Sequence, residues 1–307
     1  MTSVTAVGRR RPAAAARRRR LVGDLTGWGF VLPATLVVVG MNLFPAAWAF
    51  LISRQKTDNI APSQQVGWRN YERMMDDPTV WESVRHTLGY TAMFVPGSVI
   101  VGLFLAIALN RKIKFIGFYR TCIFVPFVAS SAATGILAGF VFDPTYGLAN
   151  NALRVTGLPQ QGFLESPSQA LVVIAVIGLW GQAAFNVAIY LAALQDVPTS
   201  LIEAAHIDGA GRWKAFRHVV VPHLAPVTVF VVVWQTIVAL QMFDLIFVTT
   251  KGQPAGATTT IVYYIYRVAF ENLRFGYGAA LAYGLFAATF LVTLGIVVQS
   301  RMRRGAF

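Results

Sequence analysis

Asp244 is the only acidic residue that falls inside an apolar run of this 307-residue chain. Helical spacing sets Trp234, Ile237, Gln241, Asp244 and Val248 on one face of that run. Trp180, Gln182, Asn186 and Tyr190 nearly do the same on the run before it. Amides and a carboxylate hydrogen-bond hydroxyl groups, and aromatic rings stack on a sugar-like ring, so these faces suit a path for a polar solute. Asn and Gln in membrane helices also serve as bonds between helices, and the sequence leaves both roles open. An unpaired carboxylate within a span costs about 2.5–3.5 kcal/mol on insertion scales. No Lys or Arg partner is evident in the neighbouring apolar runs, which argues for a watery cavity around Asp244. A negative wall suits a neutral sugar or a cationic choline head better than a bare phosphate.

Such faces require long apolar helices, and the composition supplies them. The chain is 56% hydrophobic and 13% charged, with mean hydropathy +0.57, whereas a soluble domain carries about 25% charged residues. Runs of membrane-spanning length lie at 28–52, 88–109, 118–142, 170–193, 223–248 and 279–300. With six spans both termini share a side. The tail before the first run, the 110–120 and 194–222 loops and the C-terminal end hold 17 of the 26 Lys and Arg residues, which puts that side in the cytoplasm. Loops 53–87, 143–169 and 249–278 are then external. The net charge of +13 reflects this topology rather than nucleic-acid binding. Arg9 to Arg11 and Arg17 to Arg20 precede the first run. That run is too long for the core of a signal peptide, so the expectation is a retained first helix.

Three smaller features have plain readings. The run 261–270 is too short to cross and is expected as an interfacial or re-entrant external helix. Loop 53–87, with Asp58, Glu72, Asp76, Asp77 and Trp81, reads as external surface. Cys122 is the single cysteine, so no internal disulfide exists, and it reads as packing. His86, His206, His218 and His223 sit in loops or at span edges without metal spacing. No catalytic or metal-ligating set emerges.

The polar island at 203–222 separates two apolar runs. Pro198 stops the preceding helix. Ser200 with Glu203 reads as a capping box that starts a short helix, and Gly209 after Asp208 reads as its left-handed stop. A second helical stretch through Trp213, Phe216 and Val220 is expected to end at Pro222. Ala204, Ala205 and Ala210 keep the island slim enough for a groove, with Trp213 and Phe216 as anchors.

The order Glu203-Ala204-Ala205, Asp208-Gly209-Ala210, Phe216 and Pro222 resembles the signature loop of ABC importer permeases. The resemblance implies an all-α type I permease fold and a coupling role for this loop in the cleft of a separate ATPase subunit. This chain has no Gly-Lys pair, hence no phosphate-binding loop. ATP and its Mg would therefore belong to the partner ATPase, with no cofactor on this chain. Gly252-Gln253-Pro254, Thr258-Thr259-Thr260, Tyr264-Ile265-Tyr266 and Gly276-Tyr277-Gly278-Ala279 look like the carbohydrate-uptake branch, which includes maltose-type and glycerol-3-phosphate-type systems. The wording leans towards glycerol-3-phosphate or a glycerophosphodiester such as glycerophosphocholine over a di- or oligosaccharide. The implied partners are a second homologous permease, two ATPase subunits, an extracytoplasmic binding protein and the lipid of a bacterial plasma membrane. The expected organisation is a basic tail at 1–27, a first helix and external loop at 28–84, a permease core at 85–300 with coupling loop 194–222, and a tail at 301–307. The rival class is an ion-coupled secondary transporter using Asp244, which leaves the signature loop unexplained.

Overall fold

The computed structural model describes residues 28–57, 63–111 and 114–304. The basic tail, Asp58 and the last three residues lie outside them. The chain divides into two compact units, one ending at Ile52 and one beginning at Ser53. The first is a helix, α1 (Trp28–Ser53), long and apolar enough to cross a membrane. A π-turn at Val39–Leu43 interrupts it.

The second unit opens with a two-residue hairpin, β1 (Gln55–Lys56) against β2 (Gln64–Gln65). An amphipathic helix, α2 (Arg69–Asp76), follows. Then comes α3 (Pro78–Leu109), which starts ten residues before the apolar run expected at 88. The reason is local: Asp77 Oδ1 accepts from Thr79 N at 3.0 Å, and Pro78 at the first helical position has no N–H to leave unpaired. The segment 78–87 is therefore helix rather than loop.

The run expected at 118–142 is not one helix. It forms α4 (Ile116–Val128) and α5 (Ser131–Val141), bent by 105°. Ala129 is extended, and Ser130 starts the second piece by accepting from Ala133 N at 3.2 Å. A short helix α6 (Leu148–Val155) leads to the central α7 (Ala170–Gln195), with Tyr90 and Phe94 of α3 buried against it. Small residues permit the approach: a Cβ at Gly102 would meet Asn186 Cβ at 2.6 Å, and one at Gly178 would meet Tyr90 Oη at 2.7 Å.

After α7 come α8 (Thr199–Ile207), α9 (Arg212–Ala215) and, through a π-turn at Phe216–Val220, α10 (Val221–Leu240). The expected stop at Pro222 does not occur. The wide π-turn precedes the proline, whose missing N–H falls in the first turn of α10. The helix then breaks at Gln241–Phe243 before α11 (Asp244–Val248). Residues 261–271 form α12 (Ile261–Tyr266) and a π-turn, with Ile261, Tyr263 and Val268 buried. At about 16 Å this piece is too short to cross, and it is packed against Val80, Tyr277 and Leu281 rather than lying on the surface. The last helix, α13 (Phe275–Arg304), takes in the start of the expected C-terminal tail.

Among the described residues, five helices have spanning length and apolarity, or six with the bent pair taken as one. The fold among the described residues is all-helical apart from the small hairpin.

Candidate functional site: a cavity between two helix breaks and an exposed loop

The two breaks meet. Ala129, Ser130 and Ser131 from the first and Gln241 to Leu245 from the second line one cavity of about 360 Å³, with Gly181 and Gln182 of α7 between them. Backbone freed from a helix is tolerated at membrane depth where protein or a watery cavity satisfies it. Here Thr260 Oγ1 donates to the Met242 carbonyl at 3.0 Å, and Ser130 caps α5. The wall combines a carboxylate, two amides, two serine hydroxyls and the ring of Phe127. That chemistry binds hydroxyls and stacks on a ring. No Lys or Arg lines it.

The sequence-derived path residues divide. Gln182, Gln241 and Asp244 line the cavity. Asp244 is exposed, opens α11, and has no ion-pair partner among the described residues. The expected continuous face from Trp234 to Val248 is cut at Gln241, so Asp244 reaches the cavity from a separate helix. Asn186 is 1% exposed, and its Oδ1 accepts from Gln235 Nε2 at 2.6 Å. Tyr190 is fully buried in a cluster with Ala106 and Val231. Trp234 stacks on Phe185 at 5.4 Å and on Phe230 at 6.4 Å and is not in the cavity wall. Sequence reasoning missed Ser130 and Ser131; a polar pair in the middle of an apolar run was the available signal.

The signature loop is built differently from its expected cap. Pro198 is the N-cap of α8, no side chain caps it, and Ser200 lies inside the first turn. The capping box is therefore absent, because the helix begins two residues too early for it. The helix end agrees with expectation. Gly209 has φ +79°, Ala210 N donates to Ala205 O at 2.8 Å, and Gly209 N donates to His206 O at 3.0 Å. These two bonds define a Schellman motif. His206 Nδ1 adds a donation to Ala210 O at 2.8 Å.

Glu203, Ala204, Asp208 and Gly209 are exposed, and Ala205 and Ala210 are half-buried. Ile207 is 86% exposed. Phe216 turns inward to a small core of Val197, Val220 and Leu224. Trp213 stacks on the outside of Phe216 at 5.8 Å. Phe216 thus fixes the loop to the spans, while Trp213, Leu201 and Ile207 present apolar surface outward. Arg212 to Val248 is otherwise helical apart from the break at Gln241–Phe243. The loop and the cavity are therefore the two ends of one element, about 43 Å apart along Arg212 to Leu240.

Residues 98–304 match the family described as binding-protein-dependent transport system inner membrane component. The chain is 33% identical over 264 residues to the sulfoquinovosyl glycerol transport system permease protein of Agrobacterium fabrum, covering 85% of each. It is 34% identical over 252 residues to the sn-glycerol-3-phosphate transport system permease protein of the same organism, covering 81% of this chain and 86% of that one. Its fold matches a chain of a bacterial alginate ABC transporter in complex with alginate pentasaccharide-bound periplasmic protein. The TM-score there is 0.82 at 20% identity, over 92% of this chain and 96% of that one. The chain belongs to the binding-protein-dependent transport inner-membrane components, the permeases of ABC importers.

Proposed function

We propose that this permease carries a sugar or glycerol-phosphate-type solute across the bacterial plasma membrane in an ATP-driven importer. The supporting observation is the single helical element that joins the exposed Schellman-capped helix to the Gln241–Asp244 wall of the cavity. A partner that moves α8 and Trp213 pulls on α9 and α10, and so on one side of the cavity. The chain itself carries out no covalent step. ATP and Mg are handled by two ATPase subunits, one of which takes Glu203 to Pro222 in its cleft. A second homologous permease completes the path, and an extracytoplasmic binding protein delivers the solute. Both termini and the signature loop face the cytoplasm, in keeping with the distribution of basic residues.

The cavity chemistry narrows the solute. A wall of Asp244, Gln182, Gln241 and serine hydroxyls holds neutral polyols through hydrogen bonds and repels an exposed phosphate. A sugar, or a glycerophosphodiester with a cationic choline head, fits this wall better than free glycerol-3-phosphate. The sulfoquinovosyl glycerol and glycerol-3-phosphate relatives are named for hydroxylated but anionic solutes, so this wall implies a different charge preference here.

The test is uptake by the assembled complex in vesicles, with binding protein outside and ATP inside. Uptake must stop without ATP and survive collapse of the proton gradient. Uptake that follows the proton gradient instead would identify an ion-coupled carrier. Single-cysteine labelling after replacement of Cys122 tests the orientation: Gly211→Cys should react only from the cytoplasmic side.

A further inference from the structure

Helices α2 and α13 share in lining two hollows of opposite character. The first is a polar cavity of about 250 Å³ lined by Lys56, Thr57, Asn70, Arg73, Arg274 and Tyr277. Thr57 Oγ1 is buried there without a hydrogen-bond partner among the described residues. Asn70 is committed elsewhere, since its Nδ2 donates to Ser53 O at 2.8 Å and Gln55 O at 2.9 Å and so holds β1 over α2. The Arg73 guanidinium lies 4.5 Å from the centre of the Tyr277 ring. Among the described residues, Lys56, Arg73 and Arg274 form no ion pair. Asp77 Oδ2 is taken by the hydroxyls of Tyr264 and Tyr277. Three cations and an unpartnered hydroxyl around a polar hollow form a receptor for an anion.

The second hollow is a groove of about 290 Å³, almost wholly apolar, whose walls include Met74, Trp81, Leu281, Gly284, Ala288 and Val292. The two hollows share α2 and α13. Along α13, Tyr277, Leu281, Gly284, Ala288 and Val292 recur at three- and four-residue steps, so the groove continues inward the stripe that begins at the basic hollow. Leu281 to Val292 spans about 16 Å, half of a hydrocarbon core of about 30 Å. Trp81 stands at the rim, 56% exposed, with Nε1 donating to Met75 O at 2.9 Å. Trp68 is similarly exposed on the other end of α2. Exposed tryptophans beside an amphipathic helix mark the membrane–water interface.

We propose that this face is a binding site for one anionic phospholipid of the outer leaflet. Its phosphate sits among Lys56, Arg73, Arg274 and the Thr57 hydroxyl. One acyl chain fills the groove along α13. An acidic protein segment would satisfy the cations but leave the one-leaflet groove empty, and a zwitterionic lipid would offer the same phosphate but bring its own cation beside the three already there.

The test uses the tagged chain purified from its own membrane as the assembled complex, with retained lipid read by native mass spectrometry. Phosphatidylglycerol should be retained about tenfold over phosphatidylcholine. Lys56→Gln with Arg274→Gln, both at exposed positions, should remove that preference while leaving phosphatidylcholine retention unchanged. Ala288→Phe, an exposed groove position, should reduce retention of both lipids. Equal retention of the two lipids by the unaltered complex would overturn the proposal. So would displacement of phosphatidylglycerol by inorganic phosphate alone, which would show a free-anion site. Unchanged lipid retention in Lys56→Gln/Arg274→Gln with weakened binding-protein affinity would assign the cations to an acidic protein surface instead.

Discussion

Asn186 and Gln235 share one buried hydrogen bond, Gln235 Nε2 to Asn186 Oδ1 at 2.6 Å, between α7 and α10. The other half of each amide, Asn186 Nδ2 and Gln235 Oε1, has no partner among the described residues. A half-satisfied pair is sensitive to loss of one member, because the survivor keeps its desolvation cost without its bond. Asn186→Leu or Gln235→Leu alone should each destabilise the protein by about 1–3 kcal/mol. The double replacement should cost less than the sum. Thermal unfolding of all three variants in detergent checks this, and strict additivity would show that the bond carries nothing.

Asp77 ties three elements together: Oδ2 accepts from Tyr264 at 2.7 Å and Tyr277 at 2.8 Å, while Oδ1 accepts from Thr79 N. Partial burial raises its pKa, but the tyrosine and Thr79 bonds together outweigh burial and hold the carboxyl below its ordinary 3.8. The Tyr264 phenol is pushed up to about 12, first by burial and then by its bond to Asp77. A carboxyl depressed in the folded state gives stability that is complete above its unfolded pKa and is lost as pH falls through the folded value. The melting temperature should therefore lose this contribution only below about pH 4. Tyr264→Phe should flatten that acid decline, and Asp77→Asn should flatten it further while lowering stability at neutral pH. An acid decline of equal slope in Asp77→Asn would assign it to other groups.

Gly209 sits at φ +79° with open space around its Cα. A side chain there meets no clash, so the cost of replacing it is backbone strain, about 1–2 kcal/mol for an L-residue held left-handed. Gly209→Val should bend or fray the end of α8 while the spans stay inserted, and Gly209→Asn should be milder because Asn visits this region more readily. Transport and ATPase co-purification should fall in the order Gly, Asn, Val. Normal co-purification and uptake by Gly209→Val would detach the turn from coupling.

Sequence alone reached the loop and the span count because both rest on local signals, a glycine stop and a run of apolar residues. It could not reach the cavity wall in full. Helical spacing assumes an unbroken helix, and the breaks at Ala129–Ser130 and Gln241–Phe243 depend on a cap within an apolar run and on Thr260, far along the chain, satisfying the Met242 carbonyl. The same assumption put Trp234 on one face with Gln241, although it stacks on Phe185; Tyr190, grouped with Gln182 and Asn186 on the unbroken α7, is buried in the core. Asn186 was legible as a polar group in a span, but only the position of Gln235 identifies its bond. The Pro222 stop also misled, since a proline marks a helix boundary only when no wider turn precedes it.

Asp244 is the residue on which the proposed solute selection turns. It opens a five-residue helix beside Gln241, faces the cavity, and has no cation beside it among the described residues. A carboxylate that only held helices together would need a buried donor. Exposure to the cavity instead supplies water or solute hydroxyls to offset the cost of placing a charge within the membrane. Asp244→Asn preserves shape and replaces two acceptor oxygens by one acceptor and one donor. The complex should assemble with unchanged melting temperature, while KM for a neutral or choline-bearing solute rises about tenfold, the effect of losing one charge-assisted hydrogen bond of about 1.5 kcal/mol. An anionic glycerol-3-phosphate should gain relative to the others, because the repulsive wall is gone. Uptake competition among the three solutes, measured together with substrate-stimulated ATPase activity, reads both effects. A fall in stability without any change in preference would move Asp244 from the solute path to the scaffold.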